Sequence, residues 1–156
     1  NGLWQLNRDE QPYGPSPHGA AWGHTPWTEA YRLPGSAQVG VGRRILERYQ
    51  WWRLEPHQEW VEPSASEADC FQPYAAGIPG GVRLVYLPRP IGPWAPPVHV
   101  RGLDASVAYR ASFVDPASGG EHDLGVITPS EDGSWRVPLP PVMHDWLLVL
   151  ATDKHR

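Results

Sequence analysis

The sequence predicts a mainly β chain: a C-terminal antiparallel β-sandwich over residues 57–156, preceded over residues 1–56 by the last βα unit of a truncated (β/α)8 barrel. Three observations lead there. Past Pro56, short apolar and β-branched runs alternate with Gly and Pro punctuation at intervals of roughly 8–16 residues, the rhythm of a two-sheet sandwich. Before Pro56, a strand-like segment leads through a long polar loop into a helical stripe, the unit from which (β/α) barrels are built. Between the two, the stretch ILERYQWWRLEP at 45–56 changes character and carries the pair Trp51–Trp52.

Bulk properties bound the reading. At 156 residues the chain holds one ordinary domain, or a small domain plus part of another. Hydrophobic residues make up 40%, enough for a packed core, while nineteen Pro and sixteen Gly favour turns and short strands over long helices. A net charge of −4 argues against nucleic acid as a partner, because nucleic-acid binders carry a basic footprint. No apolar run reaches the roughly 18 residues a membrane helix needs. The single cysteine, Cys70, excludes an internal disulfide and is expected to serve as a small, partly buried apolar residue.

The elements follow in order. NGLWQLN, residues 1–7, reads as the end of a strand, with Leu3, Gln5 and Asn7 alternating against Trp4 and Leu6. Residues 8–24 form a Pro-, Gly- and Asp-rich loop of a length that is usually functional inside a compact domain. Thr25-Pro26 supplies a helix start, a hydroxyl N-cap followed by proline at the first helical position. Pro34-Gly35 is expected to interrupt that turn. A longer helix follows, with Ala37, Val41, Ile45 and Tyr49 on one stripe. Gly40 and Gly42 weaken it by about 1 kcal/mol each relative to Ala, and are expected to allow close approach to a neighbouring surface. One strand, one loop and one helix bury too little to be stable alone.

Beyond Pro56 the expected strands are 58–62, 82–87, 98–101, 106–114, 122–127, 134–139 and 145–151. In 106–114, Val107, Tyr109, Ala111 and Phe113 alternate and should face the core. The nearly continuous apolar runs at 82–87 and 146–150 suit central strands. Asp115-Pro116 with Gly119-Gly120, and Asp132-Gly133, carry turn chemistry between strands. GIPGG at 77–81 is glycine-rich but lacks the Lys-Ser/Thr of a phosphate loop and precedes a strand, so it is a turn.

Several segments resemble a known family. NGLWQLN, WTEAYRLPGSAQ from Trp27 to Gln38, and WWRLEP from Trp51 are similar to the end of the barrel in the apiosidase-like glycoside hydrolases, the bacterial DUF4038 group. AGIPGGVRLVYLPRP from Ala76, YRASFVDPASG from Tyr109 and DWLLVL from Asp145 resemble the β-domain that follows that barrel, catalogued as the collagen-binding domain of a collagenase. The resemblance implies a secreted or periplasmic carbohydrate-active enzyme that hydrolyses a plant cell-wall-type glycan with two carboxylates at strand ends, without metal or organic cofactor. It also implies that Trp4 lies under the sugar at the cleavage subsite, with Gln5 and Asn7 as hydroxyl partners. The family's acid and nucleophile lie on earlier strands, so no residue here inherits a catalytic role.

The remaining chemistry-bearing residues invite blander readings. Asp9 and Glu10 are adjacent and their side chains diverge, which suits a solvated turn. Trp22 and Trp27 are expected in core packing. Trp51 and Trp52, with Val41, Ile45 and Tyr49, are expected at the interface between barrel and sandwich. His144-Asp145 and Glu121-His122-Asp123 lack the spacing of a zinc motif, and no G-x-S-x-G elbow exists, so solvated edge turns are expected. Trp60, Trp94 and Trp135 are expected as core or single surface aromatics. A rival reading makes the sandwich an independent binding module for polysaccharide or a fibrous protein, which would display a coplanar row of exposed aromatics.

Overall fold

In the computed structural model, residues 32–88 and 96–152 are described. They divide into two compact units: Asn1–Tyr49 with Pro116–Gly119, and Gln50–Asp115 with Gly120–Arg156. The first contains helix α1 (Pro34–Arg48). Pro34 opens this helix, where proline lacks only an N–H that the first turn leaves unbonded anyway, while the turn expected from Thr25-Pro26 lies outside the described residues. Val41, Gly42 and Ile45 form its buried face, with Tyr49 buried at its C-terminal end, while Ala37 is exposed. Arg43 pairs with Glu47 one turn on, at 2.8 Å. Around Gly40 an added Cβ would meet, among the described residues, the flexible Arg44 guanidinium at 3.7 Å.

Among the described residues, the second unit holds nine strands: β1 (Glu55–Pro56), β2 (Val61–Glu62), β3 (Tyr74–Ile78), β4 (Val82–Leu87), β5 (His99–Val100), β6 (Tyr109–Val114), β7 (Glu121–Ile127), β8 (Trp135–Arg136) and β9 (Trp146–Ala151). They form a six-stranded sheet in the order β1-β3-β4-β9-β6-β7 and a three-stranded sheet in the order β2-β5-β8. Every pairing is antiparallel. Glu55–Pro56, which the sequence reading grouped with the first segment, pairs with Gly77 and Ala76 as an edge of the larger sheet. Pro56 has no N–H to offer a further strand, which blunts that edge.

One apolar core joins the two sheets. Val85 and Leu87 of β4, Leu148 and Leu150 of β9, and Tyr109, Ala111 and Phe113 of β6 meet Val61 and Val100 of the smaller sheet. The alternation read in 106–114 holds: Tyr109, Ala111 and Phe113 are buried, and Val107 packs on the same cluster. The continuous runs are central strands buried on both faces, since Val82, Leu84 and Val149 are covered as well. β3 was not expected. It runs into Pro79-Gly80, where Gly80 at φ +71 and the Gly81 N–H donating to the Ile78 carbonyl (2.9 Å) make a tight hairpin to β4. In β7, Leu124 is the extra residue of a bulge and Gly125 takes φ +80.

Candidate functional site

Trp4, Gln5 and Asn7 lie outside the described residues, as do Asp9, Glu10, Trp22, Trp27 and Trp94. The five residues expected at an interface divide. Val41, Ile45 and Tyr49 are buried, whereas Trp51 and Trp52 remain 56% and 63% exposed. The two tryptophans sit on a single 3-10 turn, Trp51–Arg53, that follows Gln50 in the left-handed region at φ 52. Their rings meet edge to face, 6.5 Å apart and 82° between planes. Arg53 Nη1 donates to Gln50 Oε1 at 2.8 Å, closing the turn from its polar side.

One polar arrangement is marked by no sequence motif. After β1 the chain makes a second 3-10 turn, Gln58–Trp60, and lays the Trp60 indole against Gly77 of β3. His57 stacks on that indole at 3.8 Å and 9°. The Arg83 guanidinium lies over the same ring at 4.1 Å. Two planar groups cannot share one face of an indole at such distances, so they occupy opposite faces. Arg83 Nη1 donates to the Arg101 carbonyl at 2.5 Å and Nη2 to the Gly102 carbonyl, tying β4 to the end of β5. Burial pulls the Arg83 guanidinium down from its usual range, opposed by Tyr109 and Glu59. On the outer side, His57 Nδ1 lies 2.7 Å from Glu59 Oε1, and Nε2 lies 3.7 Å from Glu55 Oε2. The His57 bond, more than any other cause, holds the Glu59 carboxyl below its usual range.

A second cluster lies on β3, β4 and the start of β9. The Tyr86 hydroxyl donates to Asp145 Oδ2 at 2.7 Å, and Tyr74 tilts against Tyr86 at 6.4 Å. Burial first, then the Asp145 bond, raises the Tyr86 phenol well above its usual range. His144 stacks on Trp146 at 4.4 Å, and the Trp146 indole N–H donates to the Val142 carbonyl at 2.9 Å. His144-Asp145 is therefore half-buried and fastened rather than a solvated turn, because Tyr86, 59 residues away, supplies a donor the string itself does not show. The other acidic string is exposed as expected but opens strand β7 rather than a turn, with Asp123 paired to Arg110 at 3.1 Å. Cys70 is exposed, not partly buried. Among the described residues, no group of three or more His, Cys, Asp and Glu could hold a metal ion, and no helix is long and apolar enough to cross a membrane.

These arrangements bind side chains to the scaffold more than they open a reacting centre. Trp60 is sandwiched, Trp135 packs on the core and Trp146 is buried. Trp51 and Trp52 are exposed but perpendicular, so this pair is not coplanar.

No family model matches the chain, and neither does any curated protein. Solved structures do. A protein described as a glycoside hydrolase superposes with a TM-score of 0.65 at 17% identity, covering 91% of this chain and 31% of its own. A glycoside hydrolase family 5 protein from Bacteroides vulgatus superposes with a TM-score of 0.60 at 17% identity, covering 87% of this chain and 28% of its own. This chain thus has a glycoside hydrolase-like fold and spans less than a third of the length of those neighbours.

Proposed function

We propose that this chain is the C-terminal part of a glycoside hydrolase-like, carbohydrate-active enzyme, apiosidase-like in type and secreted or periplasmic, and that its β-domain is an accessory domain packed on the catalytic barrel. The observation that carries the reading is the asymmetry of the structural match: nine-tenths of this chain falls within about three-tenths of a glycoside hydrolase. In the whole protein, hydrolysis would use an acid and a second carboxylate flanking the glycosidic bond, and both would stand on strands other than those of residues 1–156. Trp4, Gln5 and Asn7 would contribute only sugar contacts. The exposed Trp51–Trp52 corner would meet the barrel, which suits an aromatic pair left more than half uncovered in this chain.

The purified chain is therefore expected to leave aryl glycosides and pectic oligosaccharides intact. Turnover that survives further purification would overturn the reading. The rival, an independent module for polysaccharide or a collagen-like fibre, draws on the same exposed tryptophans. Sedimentation with insoluble polysaccharide and with collagen separates the two: the accessory-domain reading expects the chain to stay in the supernatant. Retention abolished by Trp52→Ala would favour the rival.

A further inference from the structure

We propose that this chain associates head to tail with copies of itself, the Trp51–Trp52 corner of one copy taking the proline-flanked Leu139 of the next. Among the described residues Leu139 is the most open large apolar side chain, at 92% exposure. It stands in Pro138-Leu139-Pro140-Pro141, between β8 and β9, and Val142 and Met143 beyond it are exposed as well. A contiguous apolar patch of this kind marks a contact surface more often than a solvated loop.

The loop is built to be read by aromatic rings. Each proline fixes its own φ, and Val137, Leu139 and Pro140 each precede a proline, which holds them extended. The segment is thereby biased to the polyproline II form that aromatic-lined grooves recognise. Both of its ends are fastened. Val137 is buried and its N–H donates to the Val98 carbonyl at 2.9 Å, while the Trp146 indole N–H and the His144 N–H donate to the Val142 carbonyl at 2.9 and 3.0 Å. Little freedom is left to lose on docking. The Trp51–Trp52 corner is the matching surface: two indoles at 82°, both more than half open, form the two walls that a proline ridge fits. Arg136, exposed at the head of the loop, brings a guanidinium that can lie over an indole face.

The strand register makes the contact intermolecular. The Trp turn precedes β1, whose Glu55 pairs with Gly77 beside the β3–β4 hairpin. The proline loop enters β9 at Trp146, opposite Leu87 at the far end of β4. Val82 and Leu87 lie five residues apart, about 17 Å along a strand. Corner and loop therefore sit at opposite ends of the larger sheet within one compact unit, and no copy can fill its own corner. Two different surfaces at opposite ends make a heterologous contact, which adds copies without closing. The exposed halves of two indoles supply roughly 200–300 Å², against about 800 Å² per partner in a stable complex. The association is accordingly weak, with a dissociation constant on the order of 0.1–1 mM. The barrel contact uses the same corner and would displace a second copy, so a failure of self-association leaves that contact standing.

Sedimentation equilibrium of the full chain between about 10 μM and about 1 mM tests this. The weight-average mass should climb with concentration and pass the dimer value without levelling. Leu139→Asp and Trp52→Ala alter exposed side chains, and circular dichroism checks that both fold; Trp51→Ala replaces the second if it does not. Each variant loses one half of the contact and should stay monomeric. Mixed in equal amounts, they should form a heterodimer and nothing larger, because each supplies the half that the other lacks. With Leu139→Asp labelled with nitrogen-15, its Trp51 and Trp52 indole N–H signals should shift on adding unlabelled Trp52→Ala. A constant mass, a plateau at two copies, full association in either variant, or a mixture that stays monomeric overturns the proposal.

Discussion

Gly77→Ala isolates the close approach on which the Trp60 assembly depends. Gly77 is buried in β3, opposite Arg83 of β4. A Cβ built there would run into the Val82 carbonyl oxygen and come within 2.8 Å of the Trp60 ring. The carbonyl belongs to the hairpin backbone and cannot swing aside. The indole is held between His57 and Arg83. Over-packing at a site that cannot yield costs about 1–3 kcal/mol. Displacing the stacked ring adds about 0.5–1.5 kcal/mol. Against this, alanine returns about 0.5–1 kcal/mol by restricting the unfolded chain. The net is a loss of about 2 kcal/mol, which for a domain of this size lowers Tm by roughly 10 °C. Urea and thermal unfolding of both proteins measure it. A cycle with Trp60→Ala divides the loss: if the ring is the obstacle, the two substitutions couple by about 1 kcal/mol, and if the carbonyl dominates, they add. A Gly77→Ala variant within about 0.5 kcal/mol of the parent would refute the reasoning.

Three further substitutions probe other joints. Phe113→Ala, at a side chain with no exposed surface between the sheets, should cost about 3–5 kcal/mol in denaturant unfolding. Tyr86→Phe removes the bond to Asp145 and should cost about 1–2 kcal/mol at neutral pH. Because the folded Tyr86 phenol titrates above its ordinary range, the unfolded chain releases that proton first. Wild-type stability should therefore fall as pH rises past about 10, and Tyr86→Phe should flatten that fall. The Asp104 and Asp132 carboxyls, lowered first by their Ser106 and Ser134 side-chain bonds, behave oppositely. Their contribution is present above the ordinary Asp range and is lost as pH drops through their depressed values, so Asp104→Asn with Asp132→Asn should make the urea midpoint less sensitive to acid.

The legible parts of the fold were those in which a strand announces itself within its own residues. β4 was bounded correctly because VRLVYL is apolar on both faces, and β6 was found because its core residues fall on every second position, although it begins at Tyr109 and not at 106. β3 was missed for a physical reason. Tyr-Ala-Ala-Gly-Ile has weak β propensity, and its Gly77 is small to admit Trp60 rather than to make a turn. The Pro79-Gly80 turn before a strong strand was the available signal, since such a turn needs a partner strand on its other side. The strand expected at 58–62 begins instead with a 3-10 turn, Gln58–Trp60, whose first residue is fixed by side-chain bonds: Gln58 Nε2 donates to the Ala65 carbonyl (3.2 Å), and Gln58 Oε1 accepts from the Ala75 N–H (2.8 Å).

The same distinction explains the candidate site. His57, Trp60 and Arg83 share no spacing that chemistry requires, because their meeting is decided by the β3–β4 hairpin and not by their separation along the chain. Trp51–Trp52 shows the converse. Its position at the change of sequence character was plain, but whether such a pair is covered depends on what lies across from it. The structure leaves both rings more than half open while Val41, Ile45 and Tyr49 nearby in sequence are closed. An apolar stripe on a helix can be satisfied by its own unit. A perpendicular pair on a three-residue turn cannot cover itself, and that makes the tryptophans a place to look for a partner surface. Replacing both with Ser should therefore cost this chain less than about 1 kcal/mol in unfolding, as exposed residues do. In a longer protein carrying the barrel, the same change should cost several times more. Equal losses in the two contexts would mean that the tryptophans meet nothing.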